Sequence, residues 1–192
     1  MIDYNPAKKE IKAAKKCIHD MESSNNFDDM EQLWRNYLNH IEKSFTKLLS
    51  ATSAVKGKFS NTFSKEYSLR NGDELLRYIK QARDSDNHTI EDISKKIYPS
   101  MTINPLPGSQ VLKFDKLFLY GDGGMYIEGD PALIEFHPGS IEVIAVTNRG
   151  SKCNPPTSHN GNEISTKDPV KLAKYGVAFY EAWIEKSRKI FP

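Results

Sequence analysis

Residues 27–55 read FDDMEQLWRNYLNHIEKSFTKLLSATSAV, and the helical half of the molecule is built around them. Met30, Leu33, Trp34, Tyr37, Leu38, Ile41, Phe45, Leu48, Leu49 and Val55 recur three and four apart, which gathers them into one broad apolar stripe on a helix. Asp28 and Glu31 stand at capping-box spacing where that helix begins. A stripe this wide needs other elements to cover it.

Upstream, Asn5 and Pro6 suit an N-cap and first helical position, and Ile11, Ala14, Ile18 and Met21 continue at helical spacing to the polar run 23–26. Downstream, Phe59, Phe63 and Tyr67 lie four apart within 57–70, in either a weak helix or an ordered loop that turns the rings inward. Asn71, Gly72 and Asp73 punctuate the chain. Leu75, Leu76, Ile79 and Ala82 then define another helix, and Ile90, Ile93 and Ile97 form a further apolar set before Pro99.

From Asn104 the periodicity shortens. LPGSQ is a turn, Val111 to Tyr120 suits a pleated surface, GDGG at 121–124 closes a hairpin, and Met125–Glu128, Leu133–Phe136 and Ile141–Val146 follow between turn signals. About four antiparallel strands are expected. Residues 147–167 form a long loop, which at that length is functional or mobile. Asp168 and Pro169 then open a terminal helix with Leu172, Ala173, Val177, Tyr180, Trp183 and Ile184 on its apolar side, expected to cover the sheet, the helical half or both. The fold class read from this order is α+β. A helical part spans 1–98, and a small antiparallel sheet with a long C-terminal helix spans 104–192, packed on the first part.

With 192 residues the chain can bury a core without disulfides or a structural metal. Charged residues make up 27% but the net charge is only +2, so no global field drives binding to nucleic acid or membrane. Lys8, Lys9, Lys12, Lys15 and Lys16 line one side of the first helix and read as a solvated face rather than a phosphate-binding one. The N-terminal residues lack the architecture of a signal peptide, no run is long enough to span a bilayer, and two distant cysteines fit a reducing compartment; a cytoplasmic location without membrane contact is expected. Cys17 with His19 and Cys153 with His159 lack the spacing of zinc ligands.

The chain has no P-loop, no GxSxG, no HExxH and no GxGxxG, and the glycines of GDGG precede a strand, not a helix. The segment DELLRYIKQARDSDNHTIEDI at 73–93 carries the remaining candidates. Its Arg83, followed by polar Asp84 and then His88 after four intervening residues, resembles the signature of the HEPN superfamily of compact helical domains. The run LLRYIKQARDSDNH is also similar to a segment of a group of small bacterial proteins, as is PPTSHNG before a terminal helix. Arg35, Asn36 and His40 fit the same template, but in mid-helix beside the core stripe.

The resemblance implies a helical bundle over 1–98 acting as a metal-independent endoribonuclease, in the manner of a toxin or phage-defence effector. It also implies RNA as substrate, a homodimer as active unit, no cofactor, and an antitoxin or other protein as a possible partner. Arg83 and His88 would be catalytic with Asp84 in support; Tyr78 and Lys80 flank the pair and are candidates for RNA contact, although a tyrosine beside Leu75 and Ile79 more often belongs to the core. An imidazole near neutrality can take the proton of a ribose 2′-hydroxyl while a guanidinium holds the phosphate oxygens. On one straight helix, residues five apart diverge by about 140°. Convergence therefore needs a helix break among the cap formers Ser85, Asp86, Asn87 and Thr89, or a two-fold axis that sets each motif against its twin. The competing expectation is a non-catalytic HEPN-like module that binds a protein or nucleic-acid partner through the sheet and the 147–167 loop. A purely structural dimerisation module is a third possibility.

Overall fold

The computed structural model describes residues 2–88, 92–121 and 124–192, without the side chains of residues 87 and 88. The chain is α+β and divides into two compact units, Met1–Ile97 with Ser140–Pro192, and Tyr98–Gly139.

The first unit holds six helices: α1 (Asn5–Ser23), α2 (Phe27–Ala51), α3 (Lys56–Thr62), α4 (Ser64–Gly72), α5 (Glu74–His88) and α6 (Pro169–Ile190). Asn26 caps α2 by accepting from the Asp28 N–H at 2.9 Å, and Asp168 caps α6 by accepting from Val170 N–H at 2.9 Å. The aromatic stretch after residue 56 is helical, and it turns Phe59 and Phe63 into the core. The terminal helix packs on α1, α2 and α5, with a lesser contact to a strand at Ser140–Val143. Gly176 makes its close approach possible, since a Cβ there would fall 2.5 Å from both Ile79 Cδ1 and the Tyr37 hydroxyl. That hydroxyl donates to the Ala173 carbonyl at 2.9 Å.

The strands are β1 (Ser94–Ile97), β2 (Ser100–Pro105), β3 (Phe114–Leu119), β4 (Met125–Gly129), β5 (Ala132–His137), β6 (Ser140–Val143), β7 (Val146–Asn148), β8 (Ser151–Cys153), β9 (Ser158–His159) and β10 (Asn162–Glu163). Among the described residues the expected single sheet of about four strands is instead five separate two-stranded antiparallel ladders, β1 with β6, β2 with β5, β3 with β4, β7 with β8, and β9 with β10. Ile93 and Ile97 do not continue a helix: Ile93 is buried, Ser94–Ile97 pairs with Ser140–Val143, and Ile90 lies outside the described residues. Asp122 and Gly123 of GDGG lie outside them too.

The second unit is a two-stranded ribbon in two lengths, β2/β5 and β3/β4. Its register slips between Phe114 and Lys116, opposite Gly129, whose φ is +142°. Any Cβ at Gly129 would run into the Lys113 carbonyl, so the bulge requires glycine.

One buried charge joins three helices of the first unit. Arg70 of α4 is 5% exposed; its Nη2 donates to both Glu42 carboxylate oxygens of α2 at 2.9 and 2.6 Å, its Nε donates to the Tyr180 hydroxyl of α6 at 3.1 Å, and it lies 3.8 Å above the Phe45 ring. Burial pushes the Tyr180 phenol up to about 12, so it remains a neutral acceptor for the guanidinium. Removing Glu42 strands the cation. Glu42→Ala is expected to cost about 3 kcal/mol in urea denaturation, and Glu42→Leu combined with Arg70→Met to cost less than the single change. A single-mutant loss below about 1 kcal/mol would mean that water already screens the pair.

Candidate functional site

α5 carries the candidate residues, and its sequence has to satisfy two surfaces at once. Leu75, Leu76, Tyr78, Ile79 and Ala82 are buried in the core. A second set of side chains reaches the strands that follow: Tyr78 donates to the Ile144 carbonyl at 2.7 Å, Ser85 to the Thr147 carbonyl at 3.1 Å, and Gln81 accepts from the Asn148 amide at 2.9 Å. Spacings of three and four place these groups along one line of the helix.

The helix runs unbroken through His88, so a break within it, one of the two devices that would let Arg83 and His88 converge, does not occur up to that residue. Arg83 and His88 leave one helix at positions about 140° apart. Arg83 donates to its neighbour Asp84 at 3.0 Å, and both side chains are partly exposed. The side chain of His88 lies outside the described residues. Tyr78, expected to support RNA binding, is fully buried with its hydroxyl spent on a backbone carbonyl, and burial raises its pKa. It is a core residue. Lys80 is half-buried on the same helix.

The second copy of the template proves to be a neighbour of the first. Arg35 of α2 makes an ion pair with Asp86 of α5 and a 3.0 Å pair with Glu31, whose carboxylate accepts from Ser94 of β1 at 3.1 Å. A polar chain thus runs from Ser94 through Glu31 and Arg35 to Asp86, tying β1, α2 and the end of α5. His40 takes no part in it. It sits 2.6 Å from Glu10 of α1, which also pairs with Lys47. Burial alone would raise the Glu10 carboxyl, but the hydrogen bonds and charges of Lys47 and His40 outweigh it and hold the group low.

Residues 147–167, expected as a long functional or mobile loop, are two ordered hairpins. Arg149 and Gly150 turn β7 into β8, and Asn160 and Gly161 turn β9 into β10, all four at positive φ. Asn-Gly is a strong hairpin signal that the sequence displays openly. The start of α5 holds the second hairpin. Glu74 Oε2 accepts from the Thr157 N–H, the Thr157 hydroxyl and the Ser158 N–H at 2.9, 2.8 and 3.1 Å, while Asp73 pairs with His159 at 2.9 Å and accepts from Asn160 N–H at 2.7 Å. His159 is therefore a structural residue.

Among the described residues, no three His, Cys, Asp or Glu side chains cluster as metal ligands, and no helix is long and apolar enough to cross a membrane. Cys17 is buried and Cys153 half-buried, both as free thiols. Comparison with family models, curated proteins and solved structures finds no match for this chain.

Asp73 links the helix to the hairpin through charge. Burial acts to raise its carboxyl, but hydrogen bonds from Asn160, His159 and Leu76 prevail and lower it. A carboxyl depressed in the folded state contributes stability above its unfolded pKa of about 3.9, and loses it as pH falls through the folded value. Asp73→Asn should therefore cost about 1–3 kcal/mol at pH 7, with the gap to wild type closing below pH 4 in urea titrations. A gap unchanged at pH 3 would mean that the charge is irrelevant.

Proposed function

We propose that this chain is a protein-binding module whose recognition element is the ribbon of residues 98–139. The supporting observation is an apolar sheet face without cover in that unit. Met101 pairs with Phe136 and Ile103 with Ile134, which puts all four side chains on one face of β2/β5, and Phe136 is 67% exposed. In β3/β4, Leu117 faces Ile127 and Leu119 faces Met125, with Leu119 66% exposed, while the Phe118 and Tyr126 rings meet at a tilt on the opposite side, centroids 6.3 Å apart. A two-stranded ribbon cannot bury its own faces. Each such side chain gains roughly 1.5–3 kcal/mol when covered, enough in sum to support a specific complex.

Charge selects the class of partner. The ribbon holds Lys113 and Lys116 against Asp115, Asp122, Glu128, Asp130 and Glu135, a net of −3, while the whole chain is +2 and the remainder therefore +5. An acidic, apolar ribbon repels phosphate backbones and anionic lipid and favours a protein segment with apolar residues flanked by Lys and Arg. Both outer edges of the ribbon also offer backbone groups to an added strand. Selection from a displayed peptide library should yield basic, apolar sequences whose binding is lost in a Leu117→Ser, Ile134→Ser, Phe136→Ser variant. Binders indifferent to those changes would defeat the proposal, and a dimer that the same changes dissolve would reassign the surface to a second copy.

A second reading, metal-independent RNA cleavage by a HEPN-type homodimer, draws support from Arg35, which sets another guanidinium against the segment that holds Arg83 and His88. Because α5 is continuous through His88, this reading takes the two-fold axis as the device that brings the motifs together. It predicts RNA cleavage that persists in excess chelator and disappears in both Arg83→Ala and His88→Ala. Equal cleavage by all three proteins would mark a contaminant.

A further inference from the structure

A cleft of about 430 Å³ opens in the first unit between α5 and β8, lined by Glu74, Arg77, Gln81, Lys152, Cys153 and Asn154 among others. Nothing in the protein-binding reading uses it. Arg77 and Gln81 are one helical turn apart on one side of α5, and the β7/β8 hairpin brings Lys152 to the same space. Among the described residues no carboxylate lies within 4 Å of either cation. The Gln81 oxygen already accepts from Asn148, which leaves its amide N–H groups as donors. The only acid in the lining, Glu74, has three donors converging on Oε2, which together hold its carboxyl low and its charge fixed.

We propose that this cleft binds a phosphomonoester of nucleotide size, with Arg77 and Lys152 as its cations and the Gln81 amide as a third donor. A guanidinium and an amide from α5 and an ammonium from β8, all in the lining of one cleft, supply hydrogen-bond donors to a ligand rich in acceptors. The second Glu74 oxygen and the Asn154 amide, also in the lining, can take hydroxyls. The volume falls within the roughly 300–1,000 Å³ of small-molecule sites. A cationic ligand meets two cations against the single acid Glu74, and an apolar one finds little beyond Pro155 and the Cys153 sulfur.

Cys153 is a built-in reporter. It lines the cleft and is half-buried, whereas Cys17 is buried in α1, so alkylation of the native protein reads the cleft. Burial raises the Cys153 thiol and the neighbouring Arg77 opposes that rise, so an anion that engages Arg77 removes part of the thiolate's support. Iodoacetamide modification of the full chain is followed by mass spectrometry with AMP, inorganic phosphate or adenosine. Saturating AMP and phosphate should slow modification of Cys153, and adenosine should leave the rate unchanged. Arg77→Gln and Lys152→Gln should each weaken AMP protection by about tenfold or more, with thermal midpoints near wild type because both side chains are exposed. Equal protection by adenosine, no protection by AMP, or full AMP protection in both variants would each overturn the site.

Discussion

A guanidinium deprived of water is the constraint around which the helical unit is arranged. Taking Arg70 out of solvent costs several kcal/mol, and only a bidentate carboxylate, a phenol oxygen and an aromatic face, drawn from different helices, offset that cost. The three partners fix α2, α4 and α6 relative to one another more narrowly than apolar packing does, because hydrogen bonds are directional and hydrophobic contacts are not. The aromatic cluster of Phe45, Tyr67, Tyr180 and Trp183 packs around this point, with ring centroids 5.0–6.3 Å apart.

With those helices fixed, α5 becomes a two-sided element. One side fills the core, and the other is a row of hydrogen-bonding groups that receives the hairpins after residue 146. The acids that begin the helix, Asp73 and Glu74, are spent on the backbone and side chains of residues 157–160. The unbroken helix places Arg83 and His88 at positions about 140° apart around its axis. The straight helix and its sequence partner on α2 instead form a crosslink, in which Arg35 meets Asp86.

The ribbon obeys a different balance. It has too few strands to make an interior, so alternation of side chains produces two surfaces rather than an inside and an outside. Its apolar residues therefore stay exposed, and its acidic charge opposes that of the rest of the chain. The bulge at Gly129 increases local twist between its two lengths, a device that also discourages indiscriminate edge pairing.

Much of this is written locally. Apolar residues three and four apart gave α1, α2, α5 and α6, and Asp168-Pro169 marked the start of the last helix to the residue, because helical periodicity and capping are properties of consecutive residues. Turn signals likewise placed β3, β4, β5 and β6 but not β1, β2 or the strands within 147–167. Tertiary structure alone decided that Ser94–Ile97 pairs as a strand and that the strands of the described residues form five ladders instead of one sheet. It also chose Arg70 as the buried cation and joined Arg35 to Asp86, since neither residue's neighbours in sequence encode a partner on another helix. Pairing across the chain depends on which surfaces meet, and periodicity specifies only which surfaces exist.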